Sequence, residues 1–183
     1  MPLGAAGIHV RRCSGRMFGV PSLAHGRAGR HHHGVPDQMI PRSEKVVAYV
    51  VRGRTVAVFV HERDANPVRE SGLQVPAGTC DAGETPEHAV LREAHEETGL
   101  TGLRIVRHLG EADYDMRPYA DVVHHRHFFH LAVDGPVVEE WRYVERDGGT
   151  GQPRPFLFSW LPIAQAHVLA AGLGAMLGRI NAL

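Results

Sequence analysis

Three glutamates, Glu93, Glu96 and Glu97, are spaced i, i+3, i+4, which puts their carboxylates on one face of a helix. Signals for that helix stand on both sides of the trio. Thr85 can cap the first free N–H groups, Pro86 suits the first helical position, and Gly99 can take the left-handed conformation that ends a helix. Like charges at i, i+4 cost a helix a few tenths of a kcal/mol, so helix propensity does not explain the trio. A solvated acidic face is one reading. A seat for a hard divalent cation, Mg²⁺ or Mn²⁺, is the other. Val90, Leu91 and Ala94 form an adjoining apolar stripe, so one edge can enter a core while the next presents oxygen ligands.

The surrounding spacing favours the cation seat. Gly78 is followed after five residues by Glu84, and after seven more by Arg92-Glu93-Ala94-His95-Glu96-Glu97-Thr98-Gly99-Leu100. The stretch Gly78–Leu100 resembles the signature box of the Nudix hydrolases, with Ala94 and Leu100 at its two aliphatic positions. The resemblance implies an α/β chain folded as a Nudix-type α/β/α sandwich with a mixed sheet. It implies hydrolysis of a phosphoanhydride bond in a nucleoside diphosphate linked to another moiety, with Mg²⁺ or Mn²⁺ as cofactor. By position, Glu93, Glu96 and Glu97 are the expected metal ligands, joined by the backbone carbonyl of Ala77. Glu93, Glu97 and Arg92 are the expected catalytic residues, Arg92 because it matches the arginine that orients the box glutamates. Gly78, Glu84 and Gly99 support the loop and the helix end. Glu93 is one candidate base for the attacking water, and Glu111, Glu139 and Glu140 are candidates outside the box. A Nudix-fold nucleotide-binding or regulatory domain without catalysis is the alternative, although a pure binder has no need of three glutamates with Arg92. The substrate-binding residues are not legible.

These residues need elements to position them. Val46–Val51 and Val56–Val60 are β-rich runs joined at Arg52-Gly53-Arg54, which reads as a hairpin. After a polar connection over residues 61–71, Leu73–Pro76 reads as a short strand feeding the box. Leu103–Leu109, His124–Val133 and Phe156–Trp160 read as further strands. Residues 110–121 read as a loop, and residues 134–155 as a Gly- and charge-rich excursion holding Trp141 and Tyr143. From Pro162 the spacing of Leu169, Leu173, Met176, Leu177 and Ile180 predicts a helix, which Gly172, Gly174 and Gly178 weaken or divide.

Two other clusters have chemical potential. His124, His125, His127 and His130 crowd one strand, where alternation puts His124 and His130 on one face and His125 and His127 on the other. They could hold zinc, but without cysteines or an HExxH-like spacing, exposed or cleft-lining histidines are the plainer reading. Trp141, Tyr143, Tyr114 and Tyr119 could stack on a base or close the edge of a core. Cys80 has no activating base beside it in sequence, so a thiol nucleophile is not expected.

At 183 residues the chain suits one domain. Residues 39–183 are the expected catalytic domain. Residues 1–38, rich in Gly, Arg and His, lack apolar periodicity and read as a disordered extension. That segment is a tail, an Arg-rich targeting peptide, or sequence translated upstream of a start at Met39. It carries five arginines against Asp37, whereas the remainder has 15 basic and 19 acidic residues. An acidic domain argues against a nucleic-acid partner, and the family resemblance implies a small nucleotide or diphosphate substrate. No apolar run approaches the roughly 20 residues that span a bilayer, so no membrane partner is expected. Two lone cysteines suit a cytoplasmic setting. The family resemblance leaves a homodimer open.

Overall fold

The computed structural model describes residues 40–62, 72–146 and 153–180. The expectations for residues 1–38, and for most of the connection over 61–71, lie outside the described residues. Seven strands form one mixed sheet: β1 (Arg42–Arg52), β2 (Thr55–His61), β3 (Ala77–Thr79), β4 (Leu103–Asp115), β5 (Val123–Val133), β6 (Glu140–Glu145) and β7 (Arg154–Pro162). Their order is β4-β5-β1-β2-β7-β6, with β3 paired to β1. Only β1 and β5 run parallel; the other pairs are antiparallel.

Alternation along β1 assigns the two faces. Val46, Ala48 and Val50 pack with Ala57, Phe129 and Leu131 against Ala89, Val90 and Ala94 of the helix α1 (Pro86–Thr98). Val47 and Tyr49 pack on the opposite side with Val56, Val58 and Phe128. That side is covered by the C-terminal segment, through Ala166, Leu169, Leu173, Leu177 and Ile180. Both layers of the sandwich are therefore present, but the second is not the helix expected from Pro162. It consists of two 3₁₀ pieces, Ile163–Val168 and Leu177–Arg179, joined by turns. Gly172 stands between them at φ 71°, a left-handed value that ends regular helix. The apolar side chains still reach the core, because a string of turns meets the same spacing.

Three other boundaries differ from expectation. β4 continues to Asp115 instead of ending at Leu109, so Glu111 and Tyr114 lie on a strand. The segment Glu140–Glu145 is a strand on the sheet edge, not an irregular excursion. Leu73 and Gln74 make only isolated bridges, and the regular pairing before the box is at Ala77–Thr79.

Candidate active site

Both ends of α1 are fixed by the residues the sequence marks. Thr85 accepts a hydrogen bond from the His88 N–H, Pro86 opens the helix, and Gly99 closes it at φ 69° with its N–H on the His95 carbonyl. β3 brings the box loop against this helix. The approach is so close that a Cβ on Gly78 would lie 1.8 Å from the Glu93 carboxyl carbon. Only glycine lets the loop and the Glu93 carboxylate share that space.

Arg92 organises the glutamates. Its guanidinium takes both oxygens of Glu84, at 3.0 and 2.8 Å. Its Nη1 donates to Glu93 Oε1 at 3.0 Å and to Glu96 Oε2 at 3.1 Å, and its Nη2 to the Thr79 carbonyl at 3.0 Å. A planar fork is suited to holding several oxygens at once. Arg92 and the Asp81 N–H hold Glu84 down at about 2, so Glu84 is a fixed anion on the loop. Arg92 thus acts through the glutamates, as a positioning residue.

Glu93 and Glu97 are in a different state. Glu97 is 9% exposed, and its Oε2 accepts the Ala77 N–H at 2.9 Å. Burial pushes its carboxyl well above the usual range, against the Ala77 hydrogen bond, and Glu145 and Glu93 push it further. Burial also raises Glu93, despite Arg92. Desolvated carboxylates crowded together disfavour their own ionisation. This is an electrostatic deficit that a cation would remove.

A cleft of about 350 Å³ opens on this group, lined by Ala77, Gly78, Glu93, Glu96 and Glu97. Lys45, Glu145 and Arg154 complete its walls. Lys45 is the only lysine in the chain; it donates to the Thr79 hydroxyl, and burial lowers its pKa. Arg154 Nη1 lies 3.9 Å from Glu145 Oε2. A second cavity, of about 180 Å³, adjoins through Lys45, Ala77 and Gly78 and reaches Gln74, His124 and Arg126.

Ala77, Gly78, Arg92, Glu93, Glu96 and Glu97 therefore meet at one cleft, Glu84 is tied to them through Arg92, and Gly99 stands apart at the C-terminal end of α1. Of the outside candidates, none lines the cleft. Glu139 pairs with Arg52 at 2.8 Å, Glu140 is exposed on the edge strand, and Glu111 faces His125 and His127 at 3.3 Å. Glu145 lines the cleft instead, a place that an irregular excursion over residues 134–155 does not give it. The alternation of Trp141, Tyr143 and Glu145 was the available signal. Lys45 was also missed, although a lone lysine among 19 arginines was visible.

The aromatic residues divide. Trp141 stacks on Phe158 at 4.7 Å and donates its indole N–H to the Thr98 carbonyl, and Tyr143 packs on the same Phe cluster. Both close a core edge. Tyr114 lies under the Arg126 guanidinium at 4.1 Å, and Tyr119 is exposed. Burial raises the Cys80 thiol above its ordinary value.

Comparison with known proteins gives the family and the fold. The profile of the NUDIX domain family matches residues 41–175. An ADP-ribose pyrophosphatase of Bacillus subtilis is 31% identical over 107 residues, 58% of this chain and 54% of that protein. An 8-oxo-dGTP diphosphatase of Escherichia coli is 35% identical over 57 residues, 31% of this chain and 44% of that protein. The chain thus spans about half the length of the curated relatives it matches. A MutT protein from Methanosarcina mazei shares the fold, with a TM-score of 0.54 at 16% identity, over 79% of this chain and 99% of that one.

Proposed function

The chain belongs to the Nudix family, and from that membership we propose that it hydrolyses a phosphoanhydride bond in a nucleoside diphosphate linked to another group. The observation that carries the reading is Glu97: a buried carboxylate beside Glu93 and Glu145, on the wall of an open cleft. The donor set fits Mg²⁺, with Mn²⁺ as a substitute, because every group offered is a carboxylate or carbonyl oxygen. Glu93, Glu96, Glu97 and Glu145, with the Ala77 carbonyl, would hold the ion. When bound, the ion supplies positive charge for the pyrophosphate and lowers the pKa of a coordinated water.

The chain's own residues do the rest. Arg92 keeps Glu93 and Glu96 aimed at the cleft. Glu93, held at the cleft by Arg92 and the Thr79 N–H, is the base placed to take the proton of the attacking water. Lys45 and Arg154 also line the cleft and would supply positive charge to the phosphate oxygens. Among the described residues no helix is long and apolar enough to cross a membrane. A cytoplasmic setting, where Cys80 stays a free thiol, completes the reading.

The test is product release from a panel of ADP-ribose, nucleotide sugars, dinucleoside polyphosphates and oxidised nucleoside triphosphates, in Mg²⁺, Mn²⁺ or EDTA. Cleavage of one class, abolished by EDTA, supports the proposal and names the substrate class. Tight binding of a panel member without cleavage would replace it with a nucleotide-binding role.

A further inference from the structure

The sheet face that carries α1 has a second polar cluster, beyond the box cleft and sharing no lining residue with it. Strand register builds it. Glu44 of β1 is the partner of His125 on β5, and Glu111 and Asp113 of β4 are the partners of His127 and His125. Ligand atoms of Glu44, His125 and His127 lie within 4.8 Å of one another. The two nitrogens of His127 reach opposite ways, Nε2 to Glu44 Oε2 at 2.9 Å and Nδ1 to Glu111 Oε1 at 3.3 Å.

From this arrangement we propose that Glu44, His125 and His127 bind a zinc ion. Three features carry the assignment. Two imidazoles and a carboxylate form a borderline donor set that suits Zn²⁺ and not Mg²⁺. Asp113 Oδ1 lies 2.7 Å from His125 Nδ1, which favours the Nδ1–H tautomer. The Nε2 lone pair, now 3.3 Å from Glu111 Oε2, is the one that would turn to the ion, the usual arrangement behind a zinc-bound histidine. The charge is also right. Arg42 pairs with Asp113 at 2.7 Å, so with neutral imidazoles the carboxylates of Glu44 and Glu111 leave two negative charges on this face. Mostly buried imidazoles with half-exposed carboxylates give an ion a route in from solvent. A bound ion would pin β1 to β5 where the Glu44 carbonyl accepts the Cys80 N–H of the box loop. It would thus stiffen the base of that loop without entering the cleft.

The ion changes what the four-histidine strand is for. His124 and His130 face the other side, where burial lowers both. They take no part.

The experiment uses the full chain, stripped with chelator and held in excess Mg²⁺, and titrates Zn²⁺ against the wild type, His125→Asn, His127→Asn and Glu97→Gln. The histidine run at 31–33 is common to all four, so differences report on the cluster. The wild type and Glu97→Gln take up one more zinc ion per chain than either histidine variant. At a hundredfold excess over Kd, zinc raises their Tm by about 5–10 °C, and Co²⁺ gives the visible bands of a four-coordinate site. Cooperative melting without metal verifies that the histidine variants are folded; Glu44→Gln reads the same loss if one is not. Equal zinc uptake in all variants, or an unmoved wild-type Tm, would overturn the proposal. So would loss of the extra zinc in Glu97→Gln alone, which would assign it to the box.

Discussion

Two groups of carboxylates stand on this domain, and burial puts them in opposite states. In the box cleft, Glu93 and Glu97 are desolvated and their carboxyls are raised. On the strand face, Asp113 is solvated and held below its ordinary value by His125 and Arg42. The first group lacks enough internal cations, since Arg92 is spread over Glu84, Glu93 and Glu96. In the second, Arg42 and His125 balance Asp113, and Glu44 and Glu111 stand half-exposed beside imidazoles. Acidic clusters are therefore not equivalent. Desolvated carboxylates alone mark a seat for a hard cation, and carboxylates mixed with imidazoles suit a softer one.

The largest effect expected from breaking this contrast is at Glu97. Glu97→Gln removes a buried carboxylate whose desolvation raises it, and turnover should fall about 100- to 1000-fold. Its Tm should hold or rise, because a costly buried carboxylate is gone; loss of cooperative melting would count against this account. Glu145→Gln should follow, with turnover reduced about 10- to 100-fold and a higher Mg²⁺ requirement. Exposed Glu140→Gln should leave both unchanged. Gly78→Ala drives a Cβ into the Glu93 carboxylate. The side chain can swing away, so activity should drop about tenfold or more while the fold persists. Equal turnover in this variant would mean that the position of Glu93 does not matter.

The contrast is sharpened by pH. Glu97 has a folded pKa above its ordinary 4.5, so the unfolded chain releases its proton first. Stability of the cation-free protein therefore falls as pH rises from 4.5 through the folded value. Asp113 has the reverse sign: its contribution is complete above 3.8 and is lost as pH falls through the folded value. His125, raised by Asp113 above 6.5, contributes fully below 6.5 and loses that as pH rises through its folded value. Melting curves in EDTA across this range should show Glu97→Gln gaining on the wild type as pH rises, and Mg²⁺ should close the gap. The smallest effect is at the helix cap. Thr85→Ala should cost about 1 kcal/mol, a Tm drop of a few degrees, with turnover per folded molecule unchanged.

What the sequence revealed followed from how local each signal was. Cap, glutamates and terminal glycine all lie within α1 and its flanks, so helix and ligands were readable together. The β1–β2 hairpin was readable for the same reason, a two-residue turn between β-branched runs. Glu145 and Lys45 reach the cleft only through pairing in the sheet, which no local window contains. The apolar spacing after Pro162 identified the right core residues in the wrong element, because 3₁₀ turns interrupted at Gly172 present the same side chains. The histidine strand was resolved into faces by alternation alone. That Glu44, Glu111 and Asp113 meet one of those faces required the register of β1 and β4.

The measurement that tests the cation-seat reading most directly is turnover against Mg²⁺ concentration for the wild type, Glu97→Gln and Glu140→Gln, on the substrate class the panel selects. The account predicts saturable Mg²⁺ dependence in the wild type and Glu140→Gln, and near-absence of turnover in Glu97→Gln at every concentration. Turnover in EDTA, or wild-type turnover in Glu97→Gln, would contradict it.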